Sequence, residues 1–168
     1  MKHAANCQTE LHKWGSANSV QFEPTKESFT ILSRHSPFGP TFKLLGVDFD
    51  PGLSMSDAVL KLHNAGMWRL RSIMKVRRYY DTDEMMCTYK AKILSYLEYR
   101  TAAIFHTNST LLDKIDSIQS KFLREIGITN VDALLEYHLA PLSARRDMGM
   151  LGLIHRTVLG FGPAHFVF

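Results

Sequence analysis

The chain has 168 residues, 45% of them hydrophobic and 21% charged, which suits one globular domain or a piece of a larger one and excludes a disordered tail. A net charge of +4 and a pI near 9.1 are compatible with a polyanionic partner but do not demand one. Cys7 and Cys87 are far apart, each without a neighbour at ligand spacing, which argues against a disulfide framework or a structural zinc site and for a reducing compartment.

In chain order, "AANCQTELHKW" comes first and sets Ala4, Cys7, Leu11 and Trp14 at helical spacing, with Gly15 expected to stop the helix. "SVQFE" (Ser19 to Glu23) and "SFTILS" (Ser28 to Ser33) are short, rich in β-branched and aromatic residues and separated by "PTKE", a pattern of two strands and a polar turn. A third strand, "TFKLLGVDF", follows the loop "RHSPFGP", and Pro51-Gly52 ends it. Asp48 and Asp50 therefore sit where a strand leaves its sheet. Two acids one residue apart could be a metal-binding pair, but at such a position acids meet water or cap a turn.

From Ser54 the period becomes helical. Ser54 and Asp57 have capping-box spacing, and a helix is predicted from about Ser56 to the late seventies, interrupted or kinked near Gly66. "DTDE" (Asp81 to Glu84) caps a second long helix with Met86, Tyr89, Ile93, Leu97 and Ile104 on one face. A third runs from about Ser109 to Ile126, its apolar stripe Leu111, Ile115, Ile118, Phe122 and Ile126, with Asp113, Lys114, Asp116, Lys121 and Arg124 left wet. Thr129 and Asp132 make another capping-box match before a helix that Pro141 ends, and the last helix spans about Ser143 to Leu159, with Met148, Leu151 and Val158 among its apolar positions. The fold class is thus α+β, mainly α: a short helix and a small antiparallel β unit over residues 1–53, then a helical bundle over 54–168.

Candidate chemistry is sparse. "RLRSIMKVRR", from Arg69 to Arg78, holds five basic residues and no acid, and Arg71, Lys75 and Arg78 recur on one helical face opposite Leu70 and Met74. Such a stripe neutralises phosphates or is simply a solvated helix face. Arg145 and Arg146 form a weaker basic spot that could equally pair with Asp147 or nearby acids, and Glu98, among apolar neighbours, calls for an ion pair with Arg100 or another base. Met85, Met86, Tyr96, Tyr99 and Phe122 read as core. His3 and Cys7 have the reach of two metal ligands but lack a second pair, so no metal site is expected. No apolar run approaches the roughly 18 residues of a membrane helix, and the N-terminus has no signal-peptide core. The expectation is an intracellular chain with no membrane partner, nucleus or cytoplasm unresolved.

Taken together, "LHKWGSANSVQFEPTKESFTIL", "FKLLGVDFD" with "LSMSDAV", "YKAKILSYLEYRTAAIFH", "IDSIQSKFLREIG" and "LAPLSARRDMGMLGLIHR" resemble the palm and thumb portion that follows the catalytic motif of a non-LTR retrotransposon reverse transcriptase, of the LINE-type, jockey-like group. The resemblance runs in order across nearly the whole chain. It implies a palm remnant followed by a thumb and connection region, and a part of an RNA-directed DNA polymerase whose catalytic "FADD" or "YADD" aspartates lie upstream of Met1, since "ADD" occurs nowhere in this chain. Without those carboxylates no two-metal nucleotidyl transfer is expected from this chain alone. Mg2+ is the expected cofactor of the complete enzyme, with none bound by this portion.

By the same resemblance Lys26 of "VQFEPTKES" matches a motif D lysine placed to help pyrophosphate leave, the alternative being a solvated turn lysine. Lys43, Leu45 and Gly46 match the primer-gripping hairpin, and Arg71, Lys75 and Arg78 fall in the thumb that holds the duplex. The implied partners are an RNA/DNA template-primer duplex and the missing palm and fingers of the parent polymerase. The alternatives are a stand-alone nucleic-acid-binding helical module and a non-functional remnant of a decayed retrotransposon, for which the apolar C-terminal "GPAHFVF" reads as an interruption and exposed apolar surface predicts self-association.

Overall fold

The structure, a computed structural model, describes residues 2–23 and 27–162, with the backbone alone for 2–5. Helix α1 spans Lys2–Ala17. Gly15 does not stop it: the helix runs through Gly15, which is buried, and Val20 N–H donates to the Gly15 carbonyl at 2.8 Å as the chain folds back. A Cβ at that position would lie 2.4 Å from the Phe22 ring, so glycine serves the close return of the chain.

The first two predicted strands are absent. Ser19–Glu23 has no ladder partner among the described residues, and Ser28–Ser33 contributes only an isolated antiparallel bridge between Ile31 and Phe38. Strand propensity expresses fit to a half-buried pleated surface, and no described strand supplies that surface here. The third predicted strand is two: β1 (Phe42–Leu44) and β2 (Val47–Phe49) form an antiparallel hairpin in the register Phe42 to Phe49, Lys43 to Asp48 and Leu44 to Val47. Leu45 (φ 48°) and Gly46 (φ 80°) form its two-residue turn, both in the left-handed region that matches the strand twist. The signal was muted because leucine stands where asparagine or aspartate usually does.

The predicted Ser54–Asp57 capping box does not form either. Asp50 reaches forward instead, its carboxylate accepting from Ser54 N–H at 2.9 Å and Met55 N–H at 2.7 Å. Burial pushes this carboxyl up, but the donated hydrogen bonds outweigh it and leave its pKa below the ordinary value. Met55, fully buried in a left-handed conformation, packs with Val47 and Ala58 in a small core that joins the hairpin to the helices.

Helix α2 (Ser56–Met74) ends earlier than predicted and passes into a 3-10 turn at Arg77–Tyr79. Helix α3 (Thr82–Tyr89) opens on the predicted box: Asp81 accepts from Glu84 N–H at 2.8 Å and Glu84 accepts from Asp81 N–H at 3.1 Å. The second long helix is not continuous. A π-helical stretch at Lys90–Leu94 leads into α4 (Ser95–Glu98), the path breaks at Tyr99 and Arg100, and α5 (Thr101–Ile104) resumes it. The named face survives these interruptions, since Met86, Tyr89, Ile93, Leu97 and Ile104 are all buried.

Helix α6 spans Ser109–Ile126 as predicted, from an Asn108 cap to the left-handed Gly127. Thr129 caps α7 (Asn130–Leu135), and α8 covers Leu142–Val158. One main core joins α2, α3, the π-helical stretch, α6 and the start of α8, with Tyr89 and Phe122 stacked at 4.2 Å at its centre. Gly66 lets α2 approach α6 without a kink being needed: a Cβ there would sit 2.7 Å from Ile118 Cδ1. The architecture is mainly α with a two-stranded antiparallel sheet.

Candidate nucleic-acid interface

The basic run emerges from the last turns of α2, where Leu70 and Ile73 turn inward and Arg71 and Lys75 turn to solvent. With Leu70, Met74, Lys121 and Glu125 they line a cleft of about 260 Å³ between α2 and α6. Arg78 does not continue this helical face. Because α2 ends at Met74, Arg78 lies in the 3-10 turn, its guanidinium 4.7 Å from the Tyr79 ring centroid. The structure thus brings Arg71 and Lys75 together, adds Lys121, which periodicity had assigned only to a wet face, and sets Arg78 on the neighbouring element.

The hairpin is held from the break between α4 and α5. Tyr99 Oη donates to the Leu45 carbonyl at 3.3 Å, and Arg100 Nη2 to the Gly46 carbonyl at 3.4 Å. The turn stays open to solvent, with Leu45 78% exposed. Gly46 lies in the left-handed region, which accounts for glycine in the turn, and a Cβ built on it would have the Arg100 guanidinium at 3.9 Å as its nearest neighbour. Lys43 is exposed beside Asp48, whose carboxylate bridges to Lys61 Nζ at 2.7 Å. That hydrogen bond holds the Asp48 carboxyl below its ordinary range. Asp48 and Asp50 therefore have separate structural tasks, one as an ion pair and one as a turn cap.

Tyr99 is not core as predicted but 65% exposed, and Tyr96 is half-buried. On the helical period shared by buried Met86, Leu97 and Ile104, Tyr99 falls on the opposite side and Tyr96 at the flank, which is where the structure leaves them. Arg69 and Arg100 did not stand out by spacing. Both lie over the Tyr96 ring, their guanidinium carbons 4.0 and 4.3 Å from its centroid, and the only local hint was the aromatic-arginine content of "YLEYR".

The alternatives for Arg145 and Arg146 resolve into pairing. Arg145 pairs with Glu98, which supplies the partner predicted for that acid, and Arg146 grips Asp116 through both terminal guanidinium nitrogens. Asp116 is accordingly half-buried rather than wet. Lys26 lies outside the described residues, as does the His3 side chain, while Cys7 is exposed with a free thiol. Among the described residues no three His, Cys, Asp or Glu side chains gather as a metal site. No described helix is long and apolar enough to cross a membrane. Comparison with family models, curated proteins and solved structures returns no match.

Proposed function

We infer that this chain is the primer-gripping and duplex-binding portion of a reverse transcriptase from a non-LTR mobile element, and that it does not catalyse nucleotidyl transfer alone. The sequence resemblance supplies the enzyme class. The observation that carries the binding role is the acid-free run from Arg69 to Arg78, whose cations lie exposed or half-buried along the end of α2 and the following turn. None of its five cations has a carboxylate within 4.0 Å among the described residues, and uncompensated cations of this kind bind phosphates at the expense of their counterions. Lys43, Leu45 and the Gly46 turn would approach the primer end, and Arg71 and Lys75 the phosphates of the duplex. Any role of Lys26 in pyrophosphate release belongs to the complete enzyme.

Fluorescence titration of an RNA-DNA hybrid across a salt series tests this reading. Binding should weaken steeply with salt, and Arg71→Gln with Lys75→Gln should flatten the log-log slope by about 0.9 for each phosphate that is no longer neutralised. Absence of binding at low salt sinks the reading and leaves a remnant without nucleic-acid affinity. A second reading, a stand-alone nucleic-acid-binding module, draws support from the bundle having a continuous core of its own. Stimulation of primer extension when the chain is added to the remaining palm and fingers of a polymerase would separate the two, because a stand-alone binder would leave extension unchanged.

A further inference from the structure

The acids of the helical layer are unevenly shared. Arg145 and Arg146 each hold a carboxylate, and Lys61 holds Asp48. Arg69 and Arg100 hold none: among the described residues their polar contacts run only to carbonyls, Arg69 to Lys92 at 3.4 Å and Arg100 to Tyr96 and Gly46 at 3.3 and 3.4 Å. Both are half-buried, and both are fixed against the same Tyr96 ring. Two stacked guanidinium groups have given up much of their rotamer freedom, so little entropy remains to be surrendered when they meet an anion. Neither forms an ion pair among the described residues, and Asp48, which lies in electrostatic reach of Arg100, is already bonded to Lys61. Lys43 also acts on Asp48, which places a further cation on this side of the hairpin.

We propose that Arg69 and Arg100, stacked on Tyr96 beside the hairpin turn, form a phosphate-binding site for the backbone of a nucleic-acid strand, distinct from the Arg71 and Lys75 cleft. A guanidinium presents a planar fork that fits two phosphate oxygens, and the stacked pair keeps such forks oriented before the ligand arrives. Exposed Leu45 and Tyr99, which flank the site, supply apolar and aromatic surface for the attached sugar or base. The site links the hairpin to the basic end of α2, because Arg69 belongs to α2 and Arg100 holds the turn. This proposal rests on the nucleic-acid reading given above.

The test uses the full chain and a fluorescein-labelled RNA-DNA hybrid, titrated at several salt concentrations. Arg69→Gln should reduce the slope of log K against log salt by about 0.9, and Arg69→Gln with Arg100→Gln by about twice that. The change should add to that of Arg71→Gln with Lys75→Gln, since the sites are separate. Arg100→Lys should keep most of the slope, because it retains the charge. Far-UV circular dichroism checks folding, and if removal of Arg100 disturbs the hairpin, Arg69→Gln decides alone, because Arg69 makes no bond to the turn. Folded variants that retain the wild-type slope overturn the site while leaving the Arg71 and Lys75 reading intact. A wild-type chain that binds no hybrid overturns both.

Discussion

The N-terminal unit, up to Asp50, and the helical layer that follows are held together by different means. At the centre of the helical layer apolar side chains meet one another, with Tyr89, Ile93, Ile118 and Phe122 nearly inaccessible to water, while Met148, Leu151 and Val158 of its last helix stay exposed. In the N-terminal unit Leu11, Trp14, Phe29, Phe38 and Leu44 are each about half exposed or more, and among its large apolar residues that the structure describes Val47 alone is buried. That unit is fastened by the small core of Val47, Met55 and Ala58 together with polar links, the Asp50 cap, the Lys61 bridge and the Tyr99 and Arg100 bonds to the turn. Removal of apolar area from water supplies most of the stability of a fold, whereas individual exposed polar links contribute little each. The bundle can therefore stand on its own core, while the N-terminal unit keeps much of its apolar surface exposed.

The contrast breaks first at Phe122. Phe122→Ala removes one ring of the central stack and should cost about 3–5 kcal/mol, measured as a lower urea midpoint at unchanged slope. A decrease below about 1 kcal/mol would mean that the bundle does not rest on this core. Gly66→Val comes next, since even a Cβ there would meet Ile118 Cδ1 at 2.7 Å. Overpacking of this kind costs about 1–3 kcal/mol, and Ile118→Val in the same chain should restore part of it; simple additivity of the two changes would contradict the close approach of the helices.

The smallest effect sharpens the other side of the comparison. Asp50 has a native pKa below its ordinary value of 3.8, so its contribution is complete above that pH and disappears as pH falls through the lower native value. The amide shifts of Ser54 and Met55, followed by NMR, should titrate together with a midpoint under 3.8. A midpoint above 3.8 would show that burial outweighs the donated hydrogen bonds.

What could be read from the sequence was local. The bounds of α6, its buried stripe, the Asp81 and Glu84 box and the Thr129 cap all depend on residues three or four apart, a distance over which backbone geometry alone decides which side chains meet. Residue patterning alone read the hairpin as one strand, since its turn is Leu-Gly, and only the resemblance implied a hairpin there, while Ser19–Glu23 had strand chemistry without a strand to pair with. At the candidate interface the sequence supplied the cations but could not rank them. Arg145 and Arg146 look as available in the sequence as Arg69 and Arg100, yet helix packing sets the first two against Glu98 and Asp116 and the second two against a tyrosine ring. Helical periods, caps and the total of charge were thus already set by the order of residues along the chain. Which of those charges are neutralised was settled only by helix packing, because an acid near in space is far in sequence, 47 residues from Glu98 to Arg145 and 30 from Asp116 to Arg146.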